Sequence, residues 1–437
     1  MPKDANDMSE LNLMAETVGP ASLRKRWTLL LPVVFVTYSL AYLDRANFGF
    51  GAAAGLAATL HLSNQQVSLL AGLFFLGYFA FQVPGATLAK RYSVRVVVCC
   101  CLVSWGVFAA CTGIIRQFWL LALDRLLLGI AESMVFPLMI HLLSSWFTRA
   151  ERSRANAILM LGNPLTLLIM SPVTGYLIQK LGWQVTFVLE GIPPISWAIL
   201  WFVVVRDHPS QATWIEPADQ RILEQRLALE QGGIAPVAEV YKAMLRSDVL
   251  LLCAQYFFWS LGVYGFVLWL PTIVRKGTAA SMGTTGLLTA IPYLAAILAM
   301  LYVSHLSDRS QERSRFVWPS LLISGVALGG SFLTSERSFL FTFAGLIVCC
   351  AGLYAPYGPF FAIIPERLPR NVTAHVLAFV NSAGALGAFF GVYFVGFLQG
   401  ITGSARAGYL LMSFALVISA IILLLLRDPS GRKVRTA

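Results

Sequence analysis

The sequence predicts an all-α membrane protein: twelve transmembrane helices in two pseudo-symmetric six-helix bundles. Three observations predict it. Of 437 residues, 57% are hydrophobic and 12% are charged, about half the ~25% charged share of soluble domains. The apolar residues gather in runs of about 20, enough for a helix to cross a hydrocarbon core of roughly 30 Å. They do not follow the ten-residue alternation of a barrel. The second half also echoes the first at an offset of 218 residues (88 to 306, 163 to 381). Leu88-Ala89-Lys90-Arg91 maps onto Leu306-Ser307-Asp308-Arg309, and Asn163 onto Asn381.

In order, the spans read as about 27–55, 66–89, 95–115, 117–147, 155–179, 183–205, 249–274, 284–306, 316–335, 338–364, 374–399 and 404–426. Residues 1–26 form a polar tail, and the first span serves as an uncleaved anchor. Residues 27–205 make the first six-helix bundle. The only long polar segment, 206–248, links it to the second, 249–426. Within the linker, Pro217–Glu230 reads as a surface helix. A short tail, 427–437, follows the last span.

Lys and Arg set the orientation. With the N-terminus inside, 24 of the 32 fall in inside segments. Six fall outside: Arg116, Lys180, Arg275, Lys276, Arg337 and Arg406. Arg45 and Arg125 are intramembrane. The positive-inside rule then places both termini in the cytoplasm, in an inner (plasma) membrane. The net charge of +11 reflects this topology and not nucleic-acid binding. All seven cysteines lie inside apolar runs, which reads as reduced packing residues and not a disulfide framework or metal site. No cofactor or nucleotide motif is visible, and no His-Glu-x-x-His or Gly-x-Ser-x-Gly points to an enzyme.

The chemistry is expected where charge sits at membrane depth. Asp44 and Arg45 interrupt the first span, and Asp124, Arg125 and Glu132 the fourth. Insertion scales put such residues at roughly +2.5 to +3.5 kcal/mol each, so they face a bundle interior and have partners. Arg125 and Glu132 are two helical turns apart and share a face. Asp44 and Arg45 point about 100° apart, so one of them meets another helix, at Arg125 or Glu132. Arg offers a planar fork for a carboxylate; Asp and Glu can carry protons. The alternative is a fixed salt-bridge network between spans one and four. Asp124, near the outer end, is expected to pair locally with Arg116.

Further candidates are Tyr42 and Tyr78, as cavity hydroxyls or packing, and Asn163 and Asn381, as substrate contacts or helix bridges. Tyr354 and Tyr357 flank the Pro356 break of span ten, and irregular backbone at depth is tolerated where it lines a cavity. Glu190 is expected to bond the adjacent Gly191-Ile192-Pro193-Pro194 break.

Gly85-x-x-Leu88-Ala89-Lys90-Arg91-x-x-x-Arg95 resembles the signature loop of the major facilitator superfamily, with Lys90 where that family commonly has Asp. His305-Leu306-Ser307-Asp308-Arg309 resembles its second-half echo. Tyr42-Leu43-Asp44-Arg45-Ala46-Asn47-Phe48-Gly49-Phe50, Arg125-x-x-x-Gly129-x-x-Glu132, Ser145-Trp146-Phe147 and Leu189-Glu190-Gly191-Ile192-Pro193 are together similar to the anion:cation symporter family. Phe136-Pro137-Leu138 departs from its aromatic-Pro-Gly. The resemblance implies proton-coupled uptake of a small organic anion, such as a sugar acid, a tartrate-like acid or a hydroxyaromatic acid. It implies that Arg45 binds the carboxylate, that Asp44 and Glu132 exchange protons and that Arg125 links them. A functional monomer acting by alternating access is expected, and a drug or metabolite exporter on the same fold is the rival reading.

Overall fold

The computed structural model describes residues 24–231, 240–310, 312–334, 337–367, 370–402 and 406–426. Twelve membrane-length helices account for most of them. α1 is Arg26–Ala53, α2 Asn64–Arg91, α3 Val94–Ile114 and α4 Phe118–Trp146. α5 (149–181) and α6 (183–204) meet at Gly182, whose φ of 80° is left-handed. There the apolar pattern continues through a reversal, because only glycine adopts that backbone without steric cost. α7 is Ser247–Thr278, α8 Met282–Ser310 and α9 Ser314–Thr334. α10 comprises Phe339–Tyr354 and Tyr357–Arg367; α11 is Arg370–Thr402 and α12 Arg406–Leu425. The expected surface helix in the linker is Pro217–Gln231.

Two helices are broken, each at a proline. α4 divides at Met134, because Pro137 offers no N–H to the carbonyl of Ser133 and its ring crowds that turn. α10 divides at Ala355-Pro356. The indole of Trp259 donates to the Leu353 carbonyl at 3.1 Å there, satisfying a backbone acceptor at membrane depth.

The halves meet through α1 with α7, α2 with α11 and α5 with α8. Small residues allow the approach. A Cβ on Gly49 would lie 2.6 Å from the Leu268 carbonyl, and Gly175 and Gly286 face the backbones of Met282 and Ser171. Gln179 reaches across to the Gly283 N–H at 2.8 Å, and Arg275 donates to the Ala53 carbonyl. These contacts lie at the end remote from the linker, here called the distal end.

At the other, proximal end, α1, α4, α5 and the linker are locked together. Arg26 is 2% exposed and pairs with both carboxylate oxygens of Glu151, at 3.0 and 3.1 Å. It also donates to the Trp146 carbonyl at 2.8 Å. The Trp146 indole donates to the Arg206 carbonyl and stacks on Trp214, with ring centroids 5.1 Å apart. The side chains of Lys90 and Arg91 in the signature loop, that of Arg406, and the tails 1–23 and 427–437 lie outside the described residues. In the second-half echo, Asp308 pairs with Arg313 at 2.5 Å.

Candidate functional site

The charges at membrane depth converge from α1 and α4. The Arg45 Nε lies 3.2 Å from Glu132 Oε2; their side chains are 6% and 0% exposed. The Arg45 guanidinium sits over the rings of Tyr42 and Tyr78, 4.5 and 4.7 Å from their centroids. Desolvated cation–π contacts of this kind contribute about 2 kcal/mol. Of the two partners expected for the Asp44-Arg45 pair, the structure selects Glu132, and the residue that reaches it is Arg45.

Arg125 forms no ion pair among the described residues. Its guanidinium stacks on Phe48 and Phe74, 4.6 and 5.3 Å from the ring centroids. The Phe74 ring that it shares with Arg45 holds it in the cluster. Asp44 is 6% exposed. Asp44 Oδ2, Glu132 Oε1 and Arg125 Nε are buried without hydrogen-bond partners. Among the described residues these groups do not form a saturated hydrogen-bond network.

The sequence motif around Arg125 has a packing reason. A Cβ on Gly129 would strike the Phe74 carbonyl of α2. The missing side chain lets α2 approach α4 closely and brings the Phe74 ring beneath both arginines. Phe74 was not among the candidate residues, and the Arg125-x-x-x-Gly129 spacing is the signal that points to a close neighbour.

A central cavity opens beside Arg45. It is lined from the first half by Tyr38, Tyr42, Tyr78 and Phe136, and from the second by Tyr264, Tyr357 and Asn381. The break at Pro137 thus places Phe136 on the cavity. The volume is about 20 Å³, room for roughly one water molecule, so a larger occupant requires the halves to part. Tyr38 and Tyr42 hydroxyls are 3.1 Å apart. Tyr354 donates to Asn163 Oδ1 at 3.4 Å, a contact between halves, and stacks on Tyr357 with centroids 5.5 Å apart. Asn381 and Tyr357 reach the cavity wall, while Asn163 and Tyr354 form a bridge beside it. Tyr256, Ser260 and Tyr264 also line the cavity. They follow at four-residue intervals on α7, a polar stripe legible in the sequence that the sequence reading did not single out.

Two expectations are corrected. Asp124 does not pair with Arg116; it accepts from the Thr112 hydroxyl of α3 at 2.7 Å, because Arg116 lies past the end of α3 while Thr112 is inside it. Glu190 does not bond a local break, since the helix continues through Pro193 and Pro194. Its Oε1 lies 2.6 Å from the Thr174 hydroxyl, which is also 3.2 Å from Asn47 Oδ1. This links α6, α5 and α1 beside Asp44. No group of three or more metal-ligating side chains occurs among the described residues.

The profile of the Major Facilitator Superfamily matches residues 34–392 and, in a second overlapping match, 273–437. A putative tartrate transporter of Agrobacterium vitis is 29% identical over 421 residues, covering 95% of this chain and 93% of its own. A quinolone resistance transporter of Acinetobacter baumannii is also 29% identical, covering 90% of this chain and 92% of its own. A solved bacterial homologue of the human lysosomal transporter Spinster, inward-facing and unoccupied, matches with a TM-score of 0.70. It covers 93% of this chain and 96% of that one at 18% identity, a likeness of fold. Twelve helices in two halves, buried charge at their interface and a profile match along nearly the whole chain give one conclusion: this multi-pass membrane protein belongs to the Major Facilitator Superfamily of transporters and is not an enzyme.

Proposed function

We propose that the chain is a proton-coupled importer of a small organic carboxylate, with Arg45 as the carboxylate clamp. The observation that carries this reading is the single contact between Arg45 and Glu132 beside the central cavity. A guanidinium can bind a substrate carboxylate through two parallel hydrogen bonds. A substrate carboxylate arriving at Arg45 displaces Glu132. The displaced Glu132 would then be a buried carboxylate without its cation, which is costly at this depth, so it takes up a proton. Asp44 serves as the second proton carrier, and Arg125 couples it to Glu132 through its field. Tyr42, Tyr78, Tyr357 and Asn381 orient the substrate, and the Asn163–Tyr354 bridge ties that geometry to the approach of the halves.

Binding and proton uptake then precede rocking of the 27–205 and 249–426 bundles about the central site, joined by the 206–248 linker. Both termini are cytoplasmic, the membrane is the inner membrane and the carrier works as a monomer. The similarity to a protein named as a tartrate transporter supports the substrate class. The equal similarity to one named for quinolone resistance supports the second reading, an exporter. Arg45 on the cavity wall, with no carboxylate on that wall among the described residues, favours an anion over a cationic drug.

The test is uptake of a panel of hydroxy and sugar acids into proteoliposomes under an imposed pH gradient, with and without sodium. Proton-driven, sodium-independent accumulation is expected. Accumulation that needs sodium and resists uncouplers would overturn the coupling.

A further inference from the structure

A second cavity lies at the distal end, between the halves and away from the central site. Its volume is about 530 Å³, and its walls include Asn64, Trp269, Thr272, Arg275, Lys276 and Gln399. No carboxylate lines it among the described residues. The positive-inside rule leaves this end poor in cations, so two adjacent ones on a cavity wall need a reason beyond topology. Arg275 donates to the Ala53 carbonyl at the end of α1, and Lys276 is exposed. Two donors on the same wall, the Trp269 indole N–H and the Thr272 hydroxyl, are buried without partners, and Trp269 is only 8% exposed. Cations without acids on a cavity wall form a surface suited to an anion.

We infer that this vestibule is an anion-binding site for a small carboxylate, held by Arg275 and Lys276. Its use in transport rests on the carboxylate-importer reading: an anion there is concentrated at the mouth of the distal path. The same anion competes with the Ala53 carbonyl for Arg275, so occupancy loosens a contact that holds α1 to α7.

The experiment places a thiol on the vestibule wall, Ala280→Cys, with labelling of the unsubstituted protein subtracted. Modification rates are measured with an anionic and a cationic thiosulfonate of similar size, with and without tartrate as the probe anion. The anionic reagent is expected to react faster relative to the cationic one. Lys276→Gln should cut that ratio about fivefold at low salt, the effect of a unit charge some 8 Å away through water on reagents of opposite sign. Lys276→Arg should preserve it. Tartrate should slow labelling when Arg275 and Lys276 are intact, should not do so in Lys276→Gln or Arg275→Gln, and should still do so in Arg45→Lys. Equal reagent ratios in all variants, or protection that survives both substitutions, would overturn the vestibule site. Protection without carboxylate uptake would instead overturn the importer reading and leave the vestibule site standing.

Discussion

Two arginine–glutamate pairs hang from different parts of α1, one half-buried and one fully buried, and they are built differently. At the proximal end, Arg26 grips both oxygens of Glu151 and a backbone carbonyl, and Thr148 completes a capping box with the same carboxylate. Burial works against the Glu151 charge, but the Arg26 guanidinium and the Thr148 donors outweigh it and hold the carboxyl below its ordinary value. At membrane depth, Arg45 touches one oxygen of Glu132 while the other oxygen, and atoms of Asp44 and Arg125, stay unpartnered. A saturated pair fixes geometry. An unsaturated one, beside a cavity, is cheap to rearrange and costly to leave permanently as it is. On the proposed function, the contrast is one between scaffold and machinery.

The largest expected effect is at Glu132. Glu132→Gln imitates the protonated acid in shape and hydrogen bonding, so proton-driven accumulation should vanish while exchange between equal substrate pools persists in part. Equal loss of both in a folded protein would remove Glu132 from the coupling step.

Arg45→Lys comes next. It keeps the charge but loses the planar fork and a charge-assisted hydrogen bond, for a loss of about tenfold to a hundredfold in substrate affinity. Equilibrium binding to purified protein reads this directly. Near-native affinity would make Arg45 another Arg26, a scaffold residue.

Glu151→Gln should do the reverse. Transport constants stay near wild type, while stability at pH 7 falls by about 1–3 kcal/mol because a buried guanidinium loses its partner at a half-buried site. The folded-state value of Glu151 is depressed, so its stabilisation is full above the unfolded value near ~4.3. It is lost as pH falls through the folded value. Thermal transitions of variant and wild type should therefore converge in acid. A constant gap from pH 7 to pH 3 would show that the pair does not act through the Glu151 charge.

The smallest effect is expected of Asn163→Ala, which removes the 3.4 Å bond from Tyr354 between the halves. Loss of a neutral hydrogen bond of this kind costs about 0.5–1.5 kcal/mol. A modest change in turnover with unchanged affinity would assign Asn163 to the bridge. A large loss of affinity would return it to the substrate.

Most of the helical plan was legible in the sequence, because water-free surroundings force long apolar runs into spans. The α5–α6 reversal was legible as a gap between runs, yet only the left-handed Gly182 shows how tight it is. That a charge of α1 meets a charge of α4 was legible, because charge at that depth demands a partner; that the pair is Arg45 with Glu132 was left open, since helix geometry alone does not say which of Asp44 and Arg45 turns toward α4. Asp124 misled because the group that reaches it is a neutral hydroxyl inside α3, Thr112, and not the cation of the loop. The tyrosines of α7 stayed hidden because tyrosine in a membrane bundle is ordinary packing until a second helix defines a cavity. Arg275 and Lys276 read as loop charges for a similar reason, since the vestibule beside them exists only between the two halves.

On the proposed mechanism, a substrate carboxylate replaces Glu132 on Arg45 and so obliges Glu132 to take a proton. This exchange is tested most directly by the proton balance of binding. The carboxylate that is carried best is added to purified protein in weakly buffered solution, and pH is followed. Wild type is expected to take up protons on binding. Glu132→Gln is expected to bind with that uptake sharply reduced. Substrate binding that moves no protons in wild type, or moves as many in Glu132→Gln, would contradict the account.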